Sequence, residues 1–142
     1  MTATVTEIST MLSILLIVCA TSALDDPPLF ELFSEVEKEN FVTRLIEPQL
    51  IKAPKWRKDD PNPPVAVRRG IALAEQVVGK HAPQDPKLKW ELFKIELKQI
   101  RKPGDDFWIY SVHFVRETDR RIDSYRLIIL MDETVIVPVK KE

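Results

Sequence analysis

The sequence predicts an α+β domain: one main helix packed on a four-stranded antiparallel meander, with an additional helix on the N-terminal side. Two observations carry this expectation. Apolar residues recur at helical spacing between Pro64 and Gly79, then switch to a two-residue period after Pro83 and Pro86. The alternating segments are joined by short turns, which suit antiparallel neighbours and cannot make parallel crossovers.

The first expected element is the segment LFELFSEVEKENFVTRLI, Leu29 to Ile46. Leu29, Leu32, Phe33 and Val36 fall at three- and four-residue spacing and read as a helix that Pro48 stops. Pro48 to Pro64 is a proline-rich connector that holds a charged run and one aromatic residue, Trp56. The main helix follows, from Pro64 to Gly79, with Asn62 as cap and proline in the first turn. Val67, Ile71, Ala74 and Val78 form one stripe, with Ala66, Gly70, Leu73 and Val77 beside it.

Four strands are expected after it. Leu88 to Ile100 alternates but slips between Leu92 and Phe93, which predicts a bulge or bend there. Phe107 to Arg116 puts Trp108, Tyr110, Val112 and Phe114 on one face. Ser124 to Met131 and Thr134 to Val139 complete the meander. One helix laid across one face of such a sheet gives the α+β class.

The bulk numbers suit a single globular domain: 142 residues, 44% apolar and 30% charged. A formal net charge of −1 provides no general field for nucleic acid or anionic lipid, so neither is an expected partner.

Met11 to Ala20 has the length of a signal-peptide core and falls short of the ~20 apolar residues that span a bilayer. Thr21-Ser22-Ala23 supplies the small residues of a cleavage site. The expected division is therefore a signal peptide over 1–23, the N-terminal helix and connector over 24–63, and the α+β domain over 64–142. The expected location is secreted or periplasmic, with no membrane contact after cleavage. No Lys or Arg precedes Lys38, so the basic flank of a signal peptide is missing. A start at Met11, or a leader retained as an anchor, are the alternatives. The only cysteine, Cys19, lies in the leader, which leaves the mature chain no disulfide, no Cys nucleophile and no thiolate ligand.

The chemistry-bearing residues form no recognisable constellation. His81 and His113 sit on different elements without acidic residues at ligand spacing, so no metal and no acid–base pair is expected. No glycine-rich phosphate loop and no nucleophile motif occurs. The basic residues Lys87, Lys89, Lys94, Lys98, Arg101 and Lys102 are interspersed with Glu91 and Glu96, as on a solvated strand edge. The candidates for partner binding are Trp56, isolated in its connector, and Trp108, in the second strand.

The order of elements adds a resemblance. IALAEQVV (Ile71 to Val78), WELFKIEL (Trp90 to Leu97), WIYSVHF (Trp108 to Phe114) and YRLIILMDETVIVPV (Tyr125 to Val139) together resemble a PepSY-type domain, in which an aliphatic helix precedes three strands. Here Val135 follows Thr134 where those domains commonly carry glycine after the turn. The plan is also similar to a cystatin-like fold. Gln76-Val77-Val78-Gly79 lacks one residue of the cystatin loop spacing and lies at a helix end, so protease inhibition is not carried over.

Together with the leader and the missing cofactor and nucleophile motifs, the resemblance points to an exported, non-enzymatic binding or accessory module, inhibitor-like, with a protein partner and no cofactor. One alternative is a cystatin-like ligand carrier or enzyme, which needs a polar cluster around Tyr110, Ser111 and His113. The other is a structural envelope protein.

Overall fold

The computed structural model describes residues 26–142, and the expected leader lies outside them. The chain runs β1 (Phe30–Val36), β2 (Glu39–Leu45), α1 (Glu47–Leu50), α2 (Val67–His81), β3 (Glu91–Ile100), β4 (Phe107–Glu117), β5 (Ile122–Leu130), β6 (Val135–Ile136) and β7 (Val139–Lys140). It forms two antiparallel sheets, one ordered β1-β2-β7 and the other β3-β4-β5-β6. The α+β class and the helix beside a four-stranded meander are therefore present.

The N-terminal helix is not: Leu29 to Ile46 folds as a hairpin. Its loop is Glu37-Lys38, both at positive φ (51° and 67°), which is the backbone of a two-residue type I′ turn. Leu32, Ser34 and Val36 point inward from β1, as do Thr43 and Leu45 from β2. Two of these inward positions are hydroxyls, which disguises the alternation in the sequence. They are buried because they bond the backbone of β5. Thr43 Oγ1 donates to the Arg126 carbonyl at 2.7 Å, and the Arg126 N–H donates to Ser34 Oγ at 3.0 Å. Glu35 N–H donates to Ser124 Oγ at 3.1 Å. The hairpin thus covers the stretch of the β5 edge that short β6, paired only at Ile128 and Ile129, leaves open.

The last expected strand, Thr134 to Val139, is divided. Val135–Ile136 pairs with β5, and Val139–Lys140 pairs with β2 in the other sheet. Pro138, which has no N–H to give a ladder, stands between the two pieces. The bulge in β3 occurs where expected, with the register shifting between Leu92 and Lys94.

Helix α2 begins after Pro63-Pro64 and runs past Gly79 to His81, stopping ahead of Pro83. Gln84 Nε2 donates to the Val78 and Ala82 carbonyls at 2.9 and 2.7 Å, satisfying acceptors that a helix end leaves free. The buried stripe is Gly70, Ala74 and Val78, with Leu73 and Val77 packed at its flank. It is rotated from the expected one, so that Ile71 is only half-buried and Val67 is 46% exposed. Gly70 lies over the Tyr110 ring and the Ile129 side chain, within ordinary van der Waals reach of both.

The four-stranded sheet buries both faces over part of its area. On one, Tyr110, Val112, Phe114, Tyr125, Leu127 and Ile129 pack under α2. On the other, Ile100, Phe107, Ile109, Ile128 and Leu130 meet Leu32, Leu45, Leu50 and Ala53 from the hairpin and the α1 segment.

Candidate functional site

The connector after α1 returns Trp56 to the sheet. Its backbone N–H donates to the Asp106 carbonyl at 2.9 Å, which ties the connector to the β3–β4 turn. Its indole Nε1–H donates to the Asp60 carbonyl at 2.9 Å, and Asp60 Oδ2 accepts from the Arg57 N–H at 3.2 Å. These local bonds fold residues 56–60 into a tight turn that fixes the indole plane. The ring meets Trp108 edge to face, with centroids 5.1 Å apart and planes at 62°, a favoured aromatic geometry. Next to it, Lys55 Nζ lies 5.3 Å from the centre of the Phe107 ring.

The two tryptophans that the sequence singles out separately therefore stand together. They line an open cleft of about 400 Å³ with Arg57, Lys58, Gln99, Asp105 and Asp106. Gln99 Nε2 donates to the Asp105 carbonyl and holds the turn that forms one wall. Both indoles are half-buried, so each keeps surface toward solvent. Asp105 and Asp106 belong to the turn between β3 and β4. Their juxtaposition with Trp56 depends on the bond to the Asp106 carbonyl, for which no local motif exists.

A second polar group is a buried network at the other end of the sheet. The Arg116 side chain is fully buried, and its Nη2 and Nε donate to Asp123 Oδ2 at 2.9 and 3.1 Å. Nη1 donates to the Pro83 carbonyl at 2.8 Å, and the guanidinium stacks 4.5 Å from the Trp90 ring centre. Trp90 Nε1–H donates to the same carbonyl at 2.9 Å. Asp123 Oδ1 accepts from the Glu37 N–H at 3.1 Å and from Arg121 Nε at 2.9 Å. Burial pushes the Asp123 carboxyl up. The Arg116, Glu37 and Arg121 donors outweigh it and hold the group below its usual range. The network joins the β1–β2 turn, the β4–β5 hairpin and the segment after α2. Its bonds tie these three segments to one another, as a structural clamp does. The sequence carries one trace of it: Arg116 continues the inward alternation of Tyr110, Val112 and Phe114.

The histidines are far apart in the fold. His81 ends α2 and is exposed. His113 lies on the sheet face opposite α2, edge-on to Phe93 at 5.2 Å. Burial, then the charges of Arg126 and Lys94, push its imidazole below the ordinary value. Ser111 shares its face, whereas Tyr110 points the other way and donates its hydroxyl to the Val65 carbonyl at 2.7 Å. The polar cluster of Tyr110, Ser111 and His113 is therefore not assembled on one face. Among the described residues no group of three or more His, Cys, Asp or Glu is placed to hold a metal ion. No helix among them is long and apolar enough to cross a membrane.

No protein-family model, curated protein or solved structure matches this chain.

Proposed function

We propose that the chain is an exported, non-enzymatic binding module that engages a protein partner through the cleft between Trp56 and Trp108. The observation that supports this is the edge-to-face indole pair, half-buried, with Trp56 held by its backbone bond to the Asp106 carbonyl and its indole bond to the Asp60 carbonyl. Rigid aromatic side chains lose little entropy on binding and supply much contact area. A cleft of about 400 Å³ suits one anchoring side chain of a partner. Arg57 and Lys58 on one side and Asp105 and Asp106 on the other give a charge-balanced rim, which sets orientation more than affinity.

The test is capture from the native extracellular or envelope fraction with chain 24–142 as bait, beside its Trp56→Ala and Trp108→Ala variants. The expected result is a partner retained by the parent and lost by both variants, with circular dichroism unchanged. A partner held equally by all three baits sinks the assignment of the cleft.

A further inference from the structure

Among the described residues no strand pairs with the outer side of β3, which ends the four-stranded sheet, and its hydrogen-bonding phase follows from the far side of the sheet. Arg126 gives its N–H to Ser34 and receives Thr43 at its carbonyl, so its backbone groups point away from β4. The Leu130 N–H, which donates to the Thr134 carbonyl, points the same way. The residues opposite these, His113 and Ile109, therefore turn their backbone groups toward β3, where they face Lys94 and Lys98. It follows that Ile95, Leu97 and Gln99 present their N–H and C=O groups outward along the free edge.

The side chains on this edge carry a pattern. Lys94, Glu96 and Lys98 share the face opposite α2, with Glu96 ion-paired to both lysines, at 3.2 Å to Lys98. Ile95 and Leu97 lie half-buried on the α2 face. We propose that this edge pairs with the same edge of a second copy, antiparallel about a twofold axis through Leu97, to give one continuous eight-stranded sheet.

Register and charge select this arrangement. With Leu97 opposite Leu97, Ile95 falls opposite Gln99, so every outward backbone group meets an outward partner. Glu96 then falls opposite Lys98 of the second copy, twice across the axis, in the closer, non-hydrogen-bonded kind of pair. An axis through Glu96 would set Glu96 against Glu96 and Lys94 against Lys98. An axis through Ile95 would set Leu97 against the bulge at Phe93, where the ladder is broken. A self-matching strand is what a twofold interface requires. The inference is independent of the Trp56 cleft.

Sedimentation equilibrium on chain 24–142, up to about 1 mM, tests it with three variants. Glu96→Lys and Lys98→Glu should each weaken the dimer about tenfold or more, since each creates two like-charge pairs. The double variant should recover the parent's dissociation constant to within about threefold, because it restores two opposite-charge pairs. A dimer with its axis through Ile95 would not recover, since Glu96→Lys would there set a second lysine against Lys94 of the other copy. Thermal unfolding in the monomeric range keeps stability separate from association. A chain that stays monomeric to 1 mM overturns the proposal, even if the edge accepts a foreign extended peptide. So does a dimer indifferent to both single substitutions, or one that the double substitution fails to restore.

Discussion

Replacing Asp123 by Ala should destabilise the fold strongly. Its side chain is 1% exposed and that of Arg116 is fully buried. Removing the carboxylate leaves a buried guanidinium whose remaining charged neighbour, Glu37, lies 3.5 Å away on an exposed side chain. Breaking a buried pair from one side costs about 3–5 kcal/mol, most of it the desolvation of the charge left behind. Arg121 also bonds Asp123 but is 37% exposed, so Arg121→Ala should cost about 1 kcal/mol or less. The double variant Arg116→Met, Asp123→Leu removes both charges and keeps apolar bulk against Trp90. It should be more stable than Asp123→Ala alone, since matched apolar replacements of buried pairs are often neutral or better. Urea melts of the four proteins measure this directly. Equal midpoints for Asp123→Ala and Arg121→Ala, or a double variant worse than Asp123→Ala, would refute the reading of this network as a clamp. The pH dependence has a defined sign. A carboxyl held below its unfolded value contributes stability that is present above the unfolded pKa and is lost as pH falls through the folded one. The clamp should therefore fail in acid, and Asp123→Ala should flatten the acid limb of the stability profile.

Three further outcomes follow from the packing. Ala74→Ser, at a fully buried position under α2, should cost about 1–3 kcal/mol for its unpaired hydroxyl, whereas Ile71→Ala, half-buried off the stripe, should cost less than the 2–5 kcal/mol typical of core truncation; chemical denaturation of the pair ranks them. Lys38→Gly should raise stability by about 1 kcal/mol, because the residue sits at φ 67° where a side chain is unfavourable, and a lower urea midpoint would contradict the type I′ turn. Burial pushes the Tyr125 hydroxyl up to about 12; a raised value means that stability held below the unfolded pKa, near 10, is lost as pH climbs toward 12, so phenolate absorbance and unfolding should rise together over that window.

The later strands are legible in the sequence because their inward residues are nearly all apolar: Tyr110, Val112 and Phe114 in β4, Tyr125, Leu127 and Ile129 in β5. The β3 bulge is legible for the same reason, as a slip in a regular alternation. The β1–β2 hairpin is illegible because its inward residues include Ser34 and Thr43, whose partners lie on Arg126, more than eighty residues away. With those two positions reading as polar, Leu29, Leu32, Phe33 and Val36 imitate a helical stripe. Its turn offers no glycine or asparagine to correct the impression. The division of the last strand depends on β2 being available as a partner, so the mistaken N-terminal helix also hides β7. Trp56 and Trp108 stand out by type and position, but their contact depends on a backbone bond between the connector and the β3–β4 turn, which residue identity does not encode.

The stitching of β7 to β2 has a consequence for how the chain is made. The hairpin emerges early from the ribosome, with Leu32 and Leu45 on a face that has nothing to cover it. The strand that its hydroxyls clamp ends at Leu130, and β7 follows later still. At about 5–20 residues per second, some 85 residues separate Leu45 from Leu130, so the face waits roughly 4–17 s for its cover. During that interval the hairpin is a two-stranded ribbon with two open edges, a form that is marginal in water and prone to pairing with other chains. Its apolar face therefore stays open to other chains until β5 and β7 have followed it.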